Sequence, residues 1–319
     1  MKLFLTILTL ISILLCGSGC EKSVNPLVVN EGEFSVHFLD VGQGDCILIY
    51  LPDGKNMLID SGDRNEVVSA YVISSIEKTN KSHIDYLVVT HPDSDHVGNM
   101  KDIVQRFTIG TAFISDIRIP ERFKAFNEVL LLLEEQGCDI KTSGYWQSVK
   151  TEDYFIAFLS PAPMGEENSS YDDINALTFP SDDAINNVSP IMYLECHGKR
   201  FVFTGDAGQS QERLVLNNYS VGIYDVMYGE NSVRLENTHV LKVAHHGASD
   251  SSCQEFLNLL RPEYAVVSVG RNNHGHPSSS VLERIVISNP DVKLLRTDVL
   301  STISIRMGTD FSLKYNNYF

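Results

Sequence analysis

Basic residues are scarce in this chain of 319 residues. Lys and Arg number 25 against 41 Asp and Glu, so the formal net charge is −16. No cluster of Lys or Arg is visible along the sequence, and the acidic balance argues against a general nucleic-acid-binding surface. The charge does not exclude a phosphate-bearing substrate, because a bound divalent cation is itself a strong local positive charge.

Closely spaced cysteines are also missing after residue 20. The four cysteines beyond residue 20 lie far apart and match no Cys-x-x-Cys metal pattern: Cys46, Cys138, Cys196 and Cys253. Cys46 and Cys196 fall in apolar, strand-like runs, which predicts buried small residues. An oxidising compartment would permit a disulfide, but the spacing does not select a pair.

The sequence has no internal repeat, low-complexity tract or evident linker. After residue 20 it also has no apolar run long enough to cross a bilayer. The length suffices for a large hydrophobic core, so residues 33–319 are predicted to form one domain.

The start of the chain has the features of an export signal. Lys2 is followed by the apolar stretch from Leu3 to Leu15, which has the size of a signal-peptide core. Ser18-Gly19-Cys20 resembles a bacterial lipoprotein cleavage box. We therefore expect a signal peptide over residues 1–20, a lipid anchor at Cys20, a tether over residues 21–32 and an extracytoplasmic location. Ordinary secretion with cleavage nearby is the alternative.

Strands and helices alternate along both halves of the predicted domain. Strands are predicted over residues 34–40, 46–51, 56–60, 84–89, 111–115, 154–159, 191–196, 200–204, 240–244, 265–269 and 292–297, with a terminal hairpin over 302–315. Helices are predicted over residues 67–78, 99–106, 121–136, 209–217, 252–260 and 278–288. This pattern favours an α/β sandwich of two sheets covered outside by helices. The acidic, aperiodic segment 161–189 is expected to be a long loop near the site, or a lid.

The densest group of polar side chains is Thr90-His91-Pro92-Asp93-Ser94-Asp95-His96. It follows the apolar run from Ile84 to Val89, which predicts a buried strand ending in a turn. Two imidazoles and two carboxylates so close together are typical of a catalytic divalent metal site. A purely polar turn is the alternative, since Pro and Asp suit turns.

Four further strand ends carry potential ligands. Asp60 follows one apolar run and Asp206 another. The adjacent pair His245-His246 follows a third run, and His274 and His276 lie after a fourth. A single Asp or His at a strand end is usually a cap or turn residue. The combination in this order indicates one shared site.

These motifs resemble those of the metallo-β-lactamase superfamily. The resemblance is strongest to its ComEC-like branch, the extracytoplasmic hydrolase-like domain of a competence protein. The matching stretches are Leu39 to Asp45, the box from His91 to His96, Thr204-Gly205-Asp206, His245-His246-Gly247 and Gly275-His276-Pro277. The resemblance implies a four-layer αββα sandwich with the site between the two sheets, at one edge.

The resemblance also implies roles for these residues. Asp95 and His96 would hold one divalent metal ion, and His91 would hold a second. Asp206 would bridge the two ions, and one of His245 and His246 would complete the first position. The other histidine of that pair would contact substrate or donate a proton.

Three further residues receive roles in the same way. Asp60 would orient ligands from a buried position, and His276 would face the substrate. Asp93 stands where superfamily lactamases usually carry His, and residues 186–189 stand where they carry another His ligand. These departures remove up to two imidazoles from one metal position and add oxygen donors, which shifts the expected preference from Zn²⁺ toward a harder ion such as Mn²⁺ or leaves that position weakly filled.

The implied activity is that of a metal-dependent hydrolase. Asp95 would orient a metal-activated water and take its proton, while His276 or one residue of the histidine pair would stabilise the developing negative charge. A phosphodiester of a nucleic acid or a related phosphoester is the expected substrate. Two alternatives stay open: another envelope substrate, such as a choline-phosphate ester or a lactam, and a non-catalytic lipoprotein that keeps the fold for binding.

Overall fold

The computed structural model describes residues 33–78, 82–115, 117, 122–163 and 181–318. The predicted signal peptide, the anchor at Cys20 and the tether lie outside these residues, and so do residues 164–180 of the expected loop. Those interpretations stay predictions.

Fifteen strands are present in the described residues. They are β1 (Ser35–Phe38), β2 (Ile47–Tyr50), β3 (Asn56–Ile59), β4 (His83–Val89), β5 (Thr108–Ile114), β6 (Asp139–Thr142), β7 (Ser148–Lys150), β8 (Tyr154–Ser160), β9 (Ile191–Cys196), β10 (Lys199–Phe203), β11 (Val240–Lys242), β12 (Tyr264–Val267), β13 (Lys293–Arg296), β14 (Thr302–Met307) and β15 (Leu313–Tyr318). They form an eight-stranded sheet, in the order β15-β14-β1-β2-β3-β4-β5-β6, and a seven-stranded sheet, in the order β13-β12-β11-β10-β9-β8-β7.

Ten helices and one 3₁₀ turn connect the strands within the described residues. They are α1 (Glu66–Glu77), α2 (Ser94–Val97), α3 (Met100–Arg106), α4 (Lys124–Glu135), α5 (Asp182–Asn186), α6 (Gln209–Ser220), α7 (Ile223–Tyr228), the 3₁₀ turn Ala244–Gly247, α8 (Gln254–Leu260), α9 (Ser279–Ser288) and α10 (Thr297–Leu300). None of them combines the length and the apolar character needed to cross a membrane.

The hydrophobic core is divided into three apolar layers by the two sheets. Strand side chains alternate between the two faces of a sheet, so neighbours along one strand enter different layers. Leu48 packs with α1, α3 and α4 on the outside of the first sheet, whereas Ile49 packs between the sheets. Phe201 lies in the same central layer, whereas Val202 packs against the helices outside the second sheet. The predicted αββα sandwich is confirmed.

The parallel strands of both sheets determine where polar side chains collect. Strands β3 to β6 run parallel to one another, and so do β10 to β13. In open sheets, ligands bind at the carboxyl ends of such strands. The predicted site residues follow β3, β4, β10, β11 and β12, so the fold brings these residues to one edge.

A buried histidine in β1 makes the stability of this fold depend on pH. His37 is fully buried and shares hydrogen bonds with the hydroxyls of Ser35 (2.9 Å) and Ser304 (2.6 Å). Burial, with a smaller effect of Arg306, lowers the pKa of His37 from 6.5 to about 3. Between these two values the unfolded chain binds a proton that the folded chain does not. The free energy of unfolding should therefore fall as the pH drops below 6.5, by at most about 1.4 kcal/mol per pH unit from this residue.

The His37→Gln variant isolates this contribution. We expect a smaller loss of stability between pH 7 and pH 5 in the variant than in the unsubstituted protein, measured by urea denaturation. Identical slopes in the two proteins would show that His37 does not cause the effect.

Candidate metal centre

Two carboxylates and two imidazoles converge at the edge where strand ends of both sheets meet. Asp95 and His96 lie on α2 after β4, Asp206 follows β10, and His246 follows β11. One ligand atom from each residue lies within 4.8 Å of the other three. His96, Asp206 and His246 are buried, whereas Asp95 is partly exposed. We call these four residues the four-donor centre.

The orientation of His96 is fixed by Asp60. Nδ1 of His96 lies 2.7 Å from Oδ2 of Asp60, so Nδ1 donates its hydrogen there and Nε2 is the nitrogen left to face the centre. Asp60 is held in turn by the backbone N–H of Thr90, at 2.9 Å, and by the hydroxyl of Thr90, at 2.6 Å. Nε2 of His96 then faces Oδ1 of Asp206 at 3.3 Å. Asp60 thus lies behind His96 and sets the direction of its free nitrogen.

His246 is oriented in the same manner by a backbone carbonyl. Nδ1 of His246 lies 2.8 Å from the carbonyl oxygen of Ser268. Because a carbonyl only accepts, Nδ1 donates its hydrogen there and Nε2 is the nitrogen left to face the centre. That Nε2 lies 3.3 Å from Oδ2 of Asp95 and 3.3 Å from Oδ2 of Asp206.

The histidine pair sits in a strained turn. The φ angles of His245 and His246 are 48° and 51°, in the left-handed region. Each such residue costs about 1–2 kcal/mol relative to the right-handed conformation. The turn separates the two side chains, whose rings lie 6.2 Å apart at 67°. Backbone strain of this kind tends to collect at functional sites.

The remaining predicted ligands surround the four-donor centre without joining it. Nε2 of His245 lies 3.7 Å from Oδ2 of Asp206, and its ring is partly exposed. Nε2 of His91 lies 3.7 Å from Oδ2 of Asp93. Nδ1 of His91 faces two hydroxyl groups, and its Nε2 is buried without a hydrogen-bond partner. These three side chains are the predicted ligands left for a second ion.

Burial and neighbouring charges act in opposite directions on the pKa values here. Burial alone would lower the pKa of His246, but the carboxylates of Asp206, Asp95 and Asp45 raise it to about 9. The pKa of His96 is raised well above its ordinary value, again by carboxylates against the effect of burial. Burial would raise the pKa of Asp206, yet the imidazoles of His246 and His96 hold it well below its usual range. A cation that binds here therefore has to displace protons from the imidazoles.

The donor set fits a divalent cation. Four atoms of the predicted ligands are buried without a hydrogen-bond partner: Nε2 of His91, His96 and His246, and Oδ1 of Asp206. Buried polar atoms without a partner are costly, and here they share one small region. Imidazole nitrogens and carboxylate oxygens suit Zn²⁺ and Mn²⁺, and no cysteine of the described residues joins a metal-holding group. The chemistry of the site supports the use of a divalent metal.

A cavity of about 470 Å³ opens onto the four-donor centre. Its wall is acidic, since no Lys or Arg is found among the described residues that line it. The charged and ionisable residues of the wall are Asp93, Asp95, Asp182, Asp183, Asp206, Asp250, His245, His246, His274 and His276.

One asparagine holds the loop that carries the last two histidines. Oδ1 of Asn272 accepts from the backbone N–H of His274 (3.0 Å) and of His276 (3.1 Å). Its Nδ2 donates to the carbonyls of Gly270 (3.0 Å) and His276 (2.9 Å). The His276 ring lies 5.2 Å from that of His245. Burial and nearby imidazoles lower the pKa of His276, so its ring is neutral at neutral pH.

Sequence reasoning missed one charged residue at the site. Lys242 is fully buried, forms an ion pair with Asp45 and lies 3.8 Å from Oδ1 of Asp206. The sequence does contain an indication of this residue, because Lys242 stands inside the otherwise apolar run from Val240 to Ala244. Lys is almost never fully buried without a partner. Asp45, the last residue of the matching stretch that begins at Leu39, lies 3.6 Å from Nδ1 of His246.

The sequence pattern of the Metallo-beta-lactamase superfamily matches residues 39–133 of this chain. That segment contains the box from His91 to His96. The two-sheet architecture described above is the metallo-β-lactamase fold. Asp206 and His246 lie beyond the matched segment, so their place in the metallo-β-lactamase site rests on the geometry described above.

Three relatives are similar to most of this chain. ComE operon protein 3 of Bacillus subtilis is 27% identical over 304 residues, which cover 89% of this chain and 34% of the relative. Competence protein ComA of Neisseria gonorrhoeae is 28% identical over 287 residues, 90% of this chain and 34% of the relative. Recombination protein 2 of Haemophilus influenzae is 24% identical over 261 residues, 81% of this chain and 27% of the relative.

This chain therefore spans about a third or less of the length of these relatives. The similarity confirms the resemblance to the ComEC-like branch that the motifs indicated.

Proposed function

We propose that this metallo-β-lactamase domain is a metal-dependent phosphodiesterase. The observation that carries the proposal is the convergence of the four-donor centre, whose ligand atoms lie within 4.8 Å of one another. The adjoining cavity, at about 470 Å³, is large enough for a small ester. Two relatives are named as competence and recombination proteins, which supports a substrate with phosphodiester bonds.

Each residue of the centre has a defined task in this proposal. When bound, one or two divalent cations supply Lewis acidity and make a water more acidic. Asp95, His96, Asp206 and His246 would hold the first ion, with the two imidazoles kept in position by Asp60 and the Ser268 carbonyl. Asp95, whose side chain is 27% exposed toward the cavity, orients the attacking water and accepts its proton. His276 donates a hydrogen bond to the negative charge that develops on the substrate.

The acidic wall favours small phosphodiesters over long nucleic acids. Proteins that hold polynucleotides neutralise many phosphates with Lys and Arg. The described residues that line the cavity include neither. We therefore propose that most of the attraction for a substrate phosphate comes from the bound cation.

The Asp95→Ala variant tests the proposed chemistry. With Mn²⁺ or Zn²⁺, the unsubstituted protein should hydrolyse bis-p-nitrophenyl phosphate, and Asp95→Ala should be slower by about 10²–10⁴-fold because it lacks both a ligand and the proton acceptor. Asp291→Ala is the matched control, since Asp291 is an exposed carboxylate beside the amino end of β13, away from the centre. We expect it to retain full turnover.

Equal turnover by the Asp95→Ala and unsubstituted proteins would remove the assignment. Hydrolysis of nitrocefin but not of the phosphodiester would favour a lactam substrate. Metal retention without turnover of either compound would favour a non-catalytic binding protein. The exported form with a lipid anchor at Cys20 is also part of our proposal, and separating the membrane and soluble fractions of producing cells would test it.

A further inference from the structure

Lys242 occupies a position where the fold would normally place an apolar side chain. It is the last residue of β11, and its two predecessors alternate between layers. Val240 packs between the sheets and Leu241 packs outside the second sheet. The alternation directs Lys242 back between the sheets, where its side chain is fully buried. A buried ammonium is costly unless it is paired, so its partners indicate its role.

The ammonium of Lys242 contacts loops from both sheets. It forms an ion pair with Asp45, on the loop between β1 and β2 of the first sheet. It donates a hydrogen bond to the carbonyl of Gly205, at 3.0 Å, and lies 3.8 Å from Oδ1 of Asp206 on the second sheet. Lys242 is therefore next to the four-donor centre, but an ammonium has no lone pair with which to bind a cation.

Asp45 lies behind the two histidines of the centre. Its Oδ2 is 4.0 Å from Nδ1 of His96, and its Oδ1 is 3.6 Å from Nδ1 of His246. Both Nδ1 hydrogens are already donated elsewhere, to Asp60 and to the Ser268 carbonyl. Apart from the ion pair with Lys242, neither oxygen of the Asp45 side chain has a hydrogen-bond partner in the described structure.

Without Lys242, Asp45 would be a buried carboxylate with no compensating charge. The nearest hydrogens that it could capture are those on Nδ1 of His246 and Nδ1 of His96. Either capture would rotate a ring away from its present partner and turn its Nε2 away from the centre. The ion pair prevents this competition.

We propose that Lys242 is a positioning residue that keeps Asp45 from capturing the Nδ1 hydrogens of His96 and His246, so that both Nε2 atoms stay directed at the four-donor centre. The inference rests on the proposed function in one respect, namely that the centre binds a divalent cation. It adds a role for a charge that binds neither cation nor substrate.

Cation affinity in a double-mutant cycle tests this role. The dissociation constant for Zn²⁺ or Mn²⁺ would be measured by competition with a chromophoric chelator, alongside thermal unfolding. Lys242→Met should weaken affinity by about 10–100-fold, as is usual for groups that orient metal ligands. Removing the competing carboxylate as well, in Asp45→Asn/Lys242→Met, should restore affinity to within about threefold of the unsubstituted protein. Lys141→Met is the control, because Lys141 is an exposed residue of edge strand β6 whose ion pair, among the described residues, is with Asp139 at 3.4 Å.

Several results would overturn the proposal. Unchanged binding by Lys242→Met would mean that the ammonium does not position the ligands, and tighter binding would mean that it repels the cation. A double variant as weak as Lys242→Met would mean that the residue acts through the Gly205–Asp206 turn and not through Asp45. If Lys242→Met does not fold, the double variant decides the question alone, and a tenfold loss of affinity there counts against the role.

Failure of the proposed function can be distinguished from failure of the role of Lys242. An unsubstituted protein that binds no divalent cation would remove both the proposed function and this role. Cation binding and turnover by the unsubstituted protein, together with unchanged binding by Lys242→Met, would remove only the role of Lys242.

Discussion

Replacing His246 with alanine should weaken the affinity for Zn²⁺ or Mn²⁺ by at least about a hundredfold and abolish hydrolysis. Replacing the adjacent His245 should change affinity at the four-donor centre by less than about threefold. The difference follows from geometry. Nε2 of His246 lies 3.3 Å from carboxylate oxygens of both Asp95 and Asp206, whereas Nε2 of His245 lies 3.7 Å from Oδ2 of Asp206.

The two variants control for each other, since each removes one imidazole from the same turn. The dissociation constants would be measured by competition with a chromophoric chelator, and thermal unfolding would show that both variants are folded. The opposite order of effects, with His245→Ala the weaker binder, would show that the centre is assembled around the other histidine.

Replacing Gly44 with alanine should destabilise the protein by at least about 3 kcal/mol and weaken cation affinity as well. Gly44 has a φ of +124°, and a Cβ atom there would lie 2.1 Å from the carbonyl oxygen of Asp95. The contact is with backbone, so the loop and α2 would have to separate. The neighbouring Asp45 N–H donates to that same carbonyl at 3.1 Å, so separation would also break this hydrogen bond.

Gly42 provides the matched control in the same loop. Its φ is +77°, but a Cβ atom there would meet nothing within 4 Å. Gly42→Ala should therefore cost only the backbone strain, about 1–2 kcal/mol, and leave cation affinity nearly unchanged. Urea denaturation gives both stabilities. Equal losses from the two substitutions would show that the close approach to Asp95 is unimportant.

The fold and the general position of the site could be predicted from the sequence. Apolar runs ending in Asp60, His91, Asp206 and His245 are visible without a structure, and parallel strands bring their carboxyl ends to one edge. The short edge strands β6 and β7 were not predicted, because their side chains are mostly exposed and show no apolar alternation. Helices α5 and α7, with only 5 and 6 residues, were missed for a similar reason: neither is long enough for a clear helical period.

The finer geometry of the site could not be predicted from the sequence. Which of His245 and His246 joins Asp95 depends on two successive left-handed residues, and neither is glycine. The orientation of His246 depends on the backbone carbonyl of Ser268, and a carbonyl gives no signal in a sequence. Lys242 differs from these features. A charged residue inside a predicted buried strand indicates a partner of opposite charge, and only the identity of that partner required the structure.

The acidic wall of the cavity bears on the order in which reactants enter. Six aspartates and no Lys or Arg line the described part of that wall. An anionic ester that arrives before the ion meets the predominantly negative charge of this wall, while an ion that arrives first lowers the negative charge beside the four-donor centre. Under the activity proposed above, we therefore expect ordered binding, in which the metal enters first and the ester second. A chelated sample should consequently show no protection of the protein by ester, even at saturating concentrations.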